Sequence, residues 1–297
     1  MSQNREIKRG PEVIAIIGCG AIGSAILTGL LTATRKTHER REAKIAHFVA
    51  TTKSSASHKR LVKQYAADKH RVTIQKRENV KAMKQASIII LACPHLEAEN
   101  NLKESGMQQA LTKKVVISVV AGKSSKDIRD HITRGGKAHL PLPTIVRAMP
   151  NVAAKVNKSM TVIENMSEMP RPLEYRLEWI FGQVGEFKNL SNDAFKTATV
   201  LTSPSMTLIT VPLEGILDGC VAEGLTRSDT LEINVRMLEG MVELLKTRSP
   251  TRLRESISTP KGCTVKGLME LERKKVRATF VEAMIHGVRR LERMENR

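Results

Sequence analysis

Aromatic side chains are scarce in this sequence, with one Trp, two Tyr and five Phe among 297 residues. Proteins that bind single-stranded nucleic acid by base stacking need aromatic platforms, so the composition argues against that class. The hydrophobic core has to be built from aliphatic side chains and methionine instead. Hydrophobic residues make up 41% of the chain, which is enough for one large or two moderate cores.

Cysteines are few and scattered. Cys19, Cys93, Cys220 and Cys263 form no Cys-x-x-Cys pair and have no metal-ligand spacing with the eight histidines. We therefore expect no bound metal. Four isolated thiols are typical of reduced cysteines, so we expect a cytoplasmic protein.

Long hydrophobic runs are also missing. No stretch of about 18 apolar residues stands out, which argues against a membrane span and a membrane partner. The first ten residues, MSQNREIKRG, are polar and lack the apolar segment of a secretory signal, so we expect none.

Acidic residues are outnumbered, with 30 Asp and Glu against 49 Lys and Arg, and the net charge is +19. Such a surplus attracts anions. The positive charge is spread along the chain rather than packed into one arm. A small phosphorylated ligand therefore suits the sequence better than nucleic acid does.

Apolar strand-like segments alternate with helical ones over the first part of the chain, which predicts a mostly parallel sheet with helices on both faces. From about residue 189 the periodicity becomes helical throughout. We predict an α/β Rossmann-type domain over 1–188 and an all-helical domain over 189–297.

A glycine motif, Gly18-Cys19-Gly20-Ala21-Ile22-Gly23, follows the first strand and opens a helix. Gly18 permits a tight turn, Gly20 lets a pyrophosphate approach the backbone, and Gly23 allows the helix to pack closely on the strand. We predict that this turn, with Ala21 and Ile22, binds a dinucleotide. The alternative is a purely structural turn.

The second strand ends in Thr51, Thr52 and Lys53. An NAD site would have Asp or Glu at this point to hold the ribose 2′-hydroxyl, whereas hydroxyls and a cation suit a 2′-phosphate. We therefore expect NADP(H), with NAD(H) as the weaker candidate. A solvated polar loop is the alternative interpretation.

Other strand ends add candidates, because ligands bind at the carboxyl ends of strands in open parallel sheets. The segments concerned are Ala92-Cys93-Pro94, Ala121-Gly122 and the turn that contains Asn151. The first two are equally compatible with an ordinary turn, and the Asn151 segment by itself predicts a loop because Pro-Asn is a common turn dipeptide. Cys93 has no base beside it that would make it a nucleophile. The chain has no hydrolytic triad or paired carboxylates, and hydride transfer requires neither.

Near the end of the chain, ISTPKGCTVKGLMELE places a turn before a helix. Thr264 is positioned either to cap this helix or to present its hydroxyl to a substrate. The stretch alone leaves both possibilities open.

Taken together, these segments resemble the pyrroline-5-carboxylate reductase family over nearly the whole chain. The matching stretches are IGCGAIGSAI, SIIILACPH, ISVVAGKS, VRAMPNVAAKV, LEGILDGCVAEGL and PTRLRESISTPKGCTVKGLMELE. MPN and the last stretch, which is similar to the family's Ser-Pro-Gly-Gly-x-Thr loop, are the most diagnostic.

The resemblance implies NADPH-dependent reduction of L-1-pyrroline-5-carboxylate to L-proline, by hydride transfer to the imine carbon of a cyclic imino acid. It implies a homodimer through the C-terminal helices, and larger rings of dimers occur in some members. It assigns Thr264 to the imine nitrogen and the Gly262, Cys263 and Thr264 amides to the substrate carboxylate. Thr259 belongs to the same substrate loop, Asn151 takes a nicotinamide-side role, and Ala121 and Gly122 line the cofactor.

Several positions depart from the family pattern. LTSPSMTL stands where the family has Gly-Ser-Gly-Pro-Ala-Tyr, Cys93 replaces a common lysine, and Lys53 replaces an arginine. Lys261 replaces the first glycine of the substrate loop, which requires that this position not need a positive φ. Alternatives are therefore a reductase of a different cyclic imine and a non-catalytic NADP-binding paralogue.

Overall fold

A computed structural model describes residues 12–35, 45–134 and 140–295 of the chain. Contacts divide them into two units. The first comprises the described residues up to Ser203 together with those from Val288 onward, and the second is Pro204–Gly287.

The first unit contains a sheet of eight strands among the described residues. The order across the sheet is β3-β2-β1-β4-β5-β6-β7-β8, and every neighbouring pair is parallel except β6 with β7. The predicted parallel-rich Rossmann sheet is thus confirmed. The strands are β1 Glu12–Ile17, β2 Ile45–Thr52, β3 Val72–Lys76, β4 Ile88–Leu91, β5 Val115–Ser118, β6 Thr144–Met149, β7 Ser159–Glu164 and β8 Gly185–Leu190.

Helices cover both faces of this sheet, so β1 is apolar at successive positions. Ile14 and Ile16 belong to the core on one face, and Ala15 and Ile17 belong to the core on the other. The helices of the first unit are α1 Ala21–Ala33, α2 Ser55–Gln64, α3 Asn79–Gln85, α4 His95–Leu102, α5 Met107–Leu111, α6 Ser125–Arg134, α7 Arg171–Gly182 and α8 Asn192–Thr202. Short 3₁₀ turns lie at Ala66–Asp68, Val152–Val156 and Met166–Glu168.

The strand order reverses between β1 and β4. The chain moves outward from β1 through β2 to β3 and then returns to the other side of β1. Crossovers that depart in opposite directions leave a crevice at the carboxyl ends of the two central strands. A ligand site is expected there.

The second unit is helical, as predicted. Its helices are α9 Pro204–Ala222, α10 Arg227–Leu245, α11 Pro250–Ser256, α12 Cys263–Arg273 and the larger part of α13 Val276–Glu295. Pro204 begins α9, where a proline is tolerated, and Pro212 lies within the helix without ending it.

The first unit extends beyond the predicted boundary at residue 188, which falls within β8. Helix α8 also belongs to this unit, because the buried Phe195 packs against Met149 and Val162 of the sheet. The helical periodicity of α8 groups this helix with those that follow it, whereas its side-chain packing groups it with the strands.

Helix α9 has an unusually exposed apolar surface. Leu217 is its one buried residue among the described side chains of this helix. The stretch Asn192–Ala222 is long and apolar enough to cross a membrane by length and composition alone, with a mean hydropathy of 1.3 over a window of 18 residues. Glu214, Asp218 and several threonines interrupt this stretch, so it is not the continuous apolar run whose absence the sequence analysis states.

Candidate active site

The glycine turn after β1 has the backbone geometry that its sequence predicts. Gly18 has φ +78°, and a Cβ at this position would lie 2.6 Å from the Cα of Cys93. Both observations require glycine. The Gly18 amide donates a 3.2 Å hydrogen bond to Oγ1 of the buried Thr51, so this hydroxyl supports the turn.

Gly20 and Gly23 serve different purposes. A Cβ on Gly23 would lie 3.1 Å from Ile16 and 3.3 Å from Ala92, because α1 packs closely against the sheet. Gly20 is open, with nothing nearer than 3.9 Å to the same hypothetical atom. It is also the N-cap of α1 without a side-chain cap. The first amides of α1 are therefore available to an anion.

These elements border a cavity of about 640 Å³ at the crevice between β1 and β4, a size typical of cofactor pockets. It brings together most of the predicted cofactor residues. The predicted residues that line it are Gly18, Gly20, Ala21, Ile22, Thr52, Lys53, Ala92, Cys93, Pro94 and Ala121.

Four predicted residues do not line this cavity. Gly23 and Thr51 act behind its wall, as described above. Gly122 has φ +75° and is covered by Met294, whose Cβ would lie 2.7 Å from a Cβ on the glycine. Asn151 is buried at the end of β6, where Oδ1 accepts from the Ala153 amide and Nδ2 donates to the Thr202 carbonyl at 2.8 Å.

The other lining residues carry no cofactor assignment of their own from the sequence. They are Cys19, Ser54, Ser57, Arg77, His95, Val119, Val120 and Met294. Ser54, Ser57 and His95 adjoin predicted positions, so extending each motif by a few residues finds them. No local signal identifies Arg77 or Met294, because they come from other parts of the chain.

The electrostatics of the cavity suit an anion. None of the described residues that line it is acidic, whereas Lys53 and Arg77 are cationic. Lys53 forms a 2.7 Å ion pair with Glu97 outside the lining. The buried Oγ1 of Thr52 has no hydrogen-bond partner among the described residues, so a bound ribose or phosphate oxygen would satisfy it.

The two cysteines beside the glycine turn are packing residues. Burial raises the pKa of Cys19 to about 12, against the opposing effect of Arg60. Burial likewise raises the pKa of Cys93, which outweighs a hydrogen bond from Asn101. Neither thiol is suited to nucleophilic chemistry, in agreement with the sequence interpretation of Cys93.

The last turn of α13 belongs to the first unit and is held there by ion pairs with the sheet and α8. Arg147 donates to Glu164 at 2.9 Å and also to Glu295, and its guanidinium lies 4.6 Å from the ring centroid of Phe195. Lys196 forms a second contact with Glu295 at 3.1 Å. These contacts hold Met294 at the edge of the cavity.

The predicted substrate loop belongs to the second unit and precedes α12. Gly262 is the N-cap, and no side chain caps this helix. Cys263 is exposed, Thr264 is partly buried, and the Thr264 hydroxyl has no hydrogen-bond partner within the described part of the chain. Of the two roles considered from the sequence, helix capping is thus not observed.

Thr259 and Lys261 shape the turn of this loop. The Gly262 amide donates to the Thr259 carbonyl at 3.0 Å, so it is engaged within the loop and is not a free donor for a substrate carboxylate, contrary to the role that the family resemblance implies for it. Lys261 has φ +64°, so the condition derived from the sequence, that this position does not need a positive φ, was wrong. A lysine in the left-handed region costs on the order of 1 kcal/mol relative to glycine.

Comparison with known proteins gives a consistent family assignment. A model described as "Pyrroline-5-carboxylate reductase dimerisation" matches residues 192–294, and one described as "NADP oxidoreductase coenzyme F420-dependent" matches residues 13–122. The pyrroline-5-carboxylate reductase of Lophium arboricola is 32% identical, over 93% of this chain and 92% of its own. The chain belongs to the pyrroline-5-carboxylate reductase family.

Other members of the pyrroline-5-carboxylate reductase family agree. The Neurospora crassa enzyme is also 32% identical, over 94% of this chain and 92% of its own. The Streptococcus pyogenes structure has a TM-score of 0.78 at 23% identity, covering 96% of this chain and 99% of that one. A Plasmodium falciparum structure with NADP bound has the same TM-score at 19% identity, covering 96% of this chain and 98% of that one. At these identities the structures support the fold.

Proposed function

We propose that this protein reduces L-1-pyrroline-5-carboxylate to L-proline with NADPH. The observation that carries the proposal is the anion-compatible cavity behind the Gly18–Gly23 turn, in a chain 32% identical to a pyrroline-5-carboxylate reductase over almost its whole length. The reaction is an oxidoreduction at a carbon–nitrogen bond. NADP(H) is the preferred cofactor and NAD(H) the weaker one.

The residues present fit this cofactor. Gly18 makes the tight turn, Gly20 leaves the backbone open to a pyrophosphate, and the uncapped amides of α1 face it with the positive end of the helix dipole. Thr52 and Lys53 receive the adenosine side, and Ala121 lies on the nicotinamide side. When bound, NADPH supplies the hydride.

We assign substrate binding to the loop before α12. Its amides at Cys263 and Thr264 precede the first intrahelical bond, which runs from Lys266 to the Gly262 carbonyl, so they are available to a substrate carboxylate. The Thr264 hydroxyl, which has no partner among the described residues, then donates to the imine nitrogen and orients the ring. Thr259 shapes this loop, and Asn151 supports the nicotinamide side through its buried hydrogen bonds.

We also propose a homodimer formed by the helices of the second unit. The match to the dimerisation family over residues 192–294 supports this, and so does the exposed apolar surface of α9. A groove of about 610 Å³ between α9, α12 and α13 is lined almost entirely by apolar side chains. A partner subunit would cover this surface, which explains the high hydropathy of Asn192–Ala222 without a membrane.

We propose a cytoplasmic location because the four cysteines are free thiols. Cys263 is exposed, and an exposed thiol stays reduced in a reducing compartment.

The test is NADPH oxidation by the purified protein with L-1-pyrroline-5-carboxylate and a panel of other cyclic imines, with L-proline measured by chromatography. Stoichiometric proline formation is expected, with NADH as the poorer reductant. Turnover of only another imine would contradict the substrate. Tight NADPH binding with no oxidation across the panel would contradict catalysis and favour a non-catalytic paralogue.

A further inference from the structure

A cation at the cavity comes from a strand that the cofactor motifs do not include. Arg77 directly follows β3 and lines the cavity together with Lys53, Ser54 and Ser57. We propose that Arg77 is the principal residue that distinguishes NADP(H) from NAD(H), by binding the 2′-phosphate through its guanidinium. The inference rests on the proposed cofactor and assigns its specificity to a residue outside the family's usual position after β2.

The predicted 2′-phosphate residues at the end of β2 are largely engaged elsewhere. The Thr51 hydroxyl accepts from the Gly18 amide and lies behind the cavity wall. Lys53 donates to Glu97 at 2.7 Å, and this carboxylate offsets its charge. Thr52 alone has a hydroxyl without a partner among the described residues at this strand end, and a hydroxyl supplies no charge.

Arg77 is held with its terminal nitrogens unoccupied. Its amide donates to the Thr52 carbonyl at 2.9 Å, and its Nε donates to the Lys53 carbonyl at 3.1 Å. Nη1 and Nη2 form no hydrogen bond or ion pair within the described part of the chain. The residue also has φ +55°, a conformation that is uncommon outside glycine and recurs at ligand-binding positions.

This arrangement matches what a phosphate monoester requires. A guanidinium presents parallel N–H donors to two phosphate oxygens, whereas a lysine ammonium is a point charge. The Nε bond to the Lys53 carbonyl fixes the plane of the guanidinium, so less freedom is lost on binding. Lys53 and Arg77 are cationic and the Glu97 carboxylate pairs with Lys53, so this end of the cavity has a net positive charge that Arg77 carries.

The experiment is calorimetric titration of the purified full-length protein with NADP⁺, NAD⁺, 2′,5′-ADP and 5′-AMP. The variants are Arg77→Gln, Arg77→Lys and Lys53→Met. Arg77→Gln should weaken NADP⁺ and 2′,5′-ADP binding about tenfold or more, which is typical of losing a charge-assisted contact, and leave NAD⁺ within about twofold. The NADP⁺ affinity of Arg77→Lys should lie between those of the wild type and Arg77→Gln. Lys53→Met should lose less NADP⁺ affinity than Arg77→Gln does.

Lys76→Gln is the matched control. It removes the same charge one residue earlier, but Lys76 donates to Ser55 at 2.8 Å and does not line the cavity. The assignment would be overturned if Lys76→Gln and Arg77→Gln lost equal NADP⁺ affinity, or if Arg77→Gln weakened NAD⁺ and NADP⁺ binding equally. It would also be overturned if Lys53→Met lost more NADP⁺ affinity than Arg77→Gln. A wild-type protein that binds neither dinucleotide contradicts the proposed function, whereas a preference for NADP⁺ that survives Arg77→Gln contradicts only this inference.

Discussion

Arg147 on β6 joins Glu164 on β7 to Glu295 in the last turn of α13. Its guanidinium contacts both carboxylates and is 3% exposed. Burial raises the pKa of Glu164 even though the Arg147 charge opposes the shift. The cluster therefore places two carboxylates and the Arg147 guanidinium in a poorly solvated position, with Lys196 as a second cation beside Glu295, and it fixes Met294 beside the cavity.

Replacing Arg147 with Met should destabilise the protein strongly, because the partly buried Glu164 carboxylate would lose its cation and Glu295 would keep only Lys196. Removing one member of a buried ion cluster typically costs about 3–5 kcal/mol. Arg171→Met is the control, since Arg171 pairs with Glu174 on the surface and the expected loss is below about 1 kcal/mol. Chemical unfolding at fixed protein concentration measures both. Similar small losses would show that the cluster contributes little.

Gly18 and Gly20 allow folding and nucleotide binding to be separated. Gly20→Ala adds a Cβ with no atom nearer than 3.9 Å, so the fold should be retained. The new methyl group faces the proposed pyrophosphate position, and NADPH binding should weaken about tenfold or more. Gly18→Ala should also lower the midpoint of thermal unfolding, because φ +78° and the backbone of Cys93 both oppose a side chain. Normal binding by Gly20→Ala, followed by NADPH fluorescence, would contradict the assigned cavity.

Free thiols should react in the order of their burial. Cys263 is exposed, whereas Cys19 and Cys93 are buried and burial raises the pKa of both. Near pH 8 a thiol-specific disulfide reagent should label Cys263 rapidly and the two buried thiols only on denaturation. Cys263→Ser should remove the fast phase. Cys220 is partly buried, so a fast phase that survives in a Cys220→Ser, Cys263→Ser double variant would contradict the buried placement of Cys19 and Cys93.

The parts of the site that lie within one strand and its following turn could be predicted from the sequence. The GCGAIG turn is an example, because a buried strand, three glycines and a helix are contiguous and their backbone requirements are local. Arg77, Met294 and Glu295 could not be predicted in this way. The position of Arg77 depends on the pairing of β3 with β2. The positions of Met294 and Glu295 depend on the contact of the last turn of α13 with the sheet, more than two hundred residues after the glycine turn.

Local patterns do not show which neighbouring elements a segment packs against. The helical period of α8 predicts membership of the helical domain, but Phe195 packs against the sheet. Thr51 and Thr52 are adjacent and chemically alike, yet one supports the glycine turn and the other lines the cavity. Strand alternation separates such neighbours, and only the register of the sheet determines which of them faces the ligand.

His131 on α6 should make the stability sensitive to acid. It is buried, both ring nitrogens lack partners among the described residues, and burial lowers its pKa against the opposing effects of Glu99 and Asp127. The folded protein thus binds this proton less readily than the unfolded chain does. The contribution of neutral His131 to the free energy of unfolding is complete above the pKa of about 6.5 that histidine has in the unfolded chain. It is lost as the pH falls toward the lower pKa of His131 in the folded protein.

His131→Met should remove this component of the pH dependence and cost little at pH 8, because the substitution also removes two unsatisfied nitrogens. Unfolding curves between pH 8 and pH 5 measure the difference between the variant and the wild type. His70→Met, at an exposed position, is the control and should preserve the wild-type slope. Parallel stability profiles for wild type and His131→Met would show that another group dominates.

Thr264 distinguishes a catalytic loop from a merely structural one. Its hydroxyl neither caps α12 nor bonds elsewhere among the described residues, so Thr264→Ala should leave the unfolding midpoint nearly unchanged. If the hydroxyl donates to the imine nitrogen, kcat should fall about tenfold or more while the Kd for NADPH stays constant, since the lost interaction acts on the reacting group. Thr264→Ser keeps the donor and should recover most of the activity. Thr251→Ala, at an exposed threonine of α11, should behave as wild type. Unchanged kcat in Thr264→Ala would exclude the hydroxyl from the reaction and leave the α12 amides to account for substrate binding.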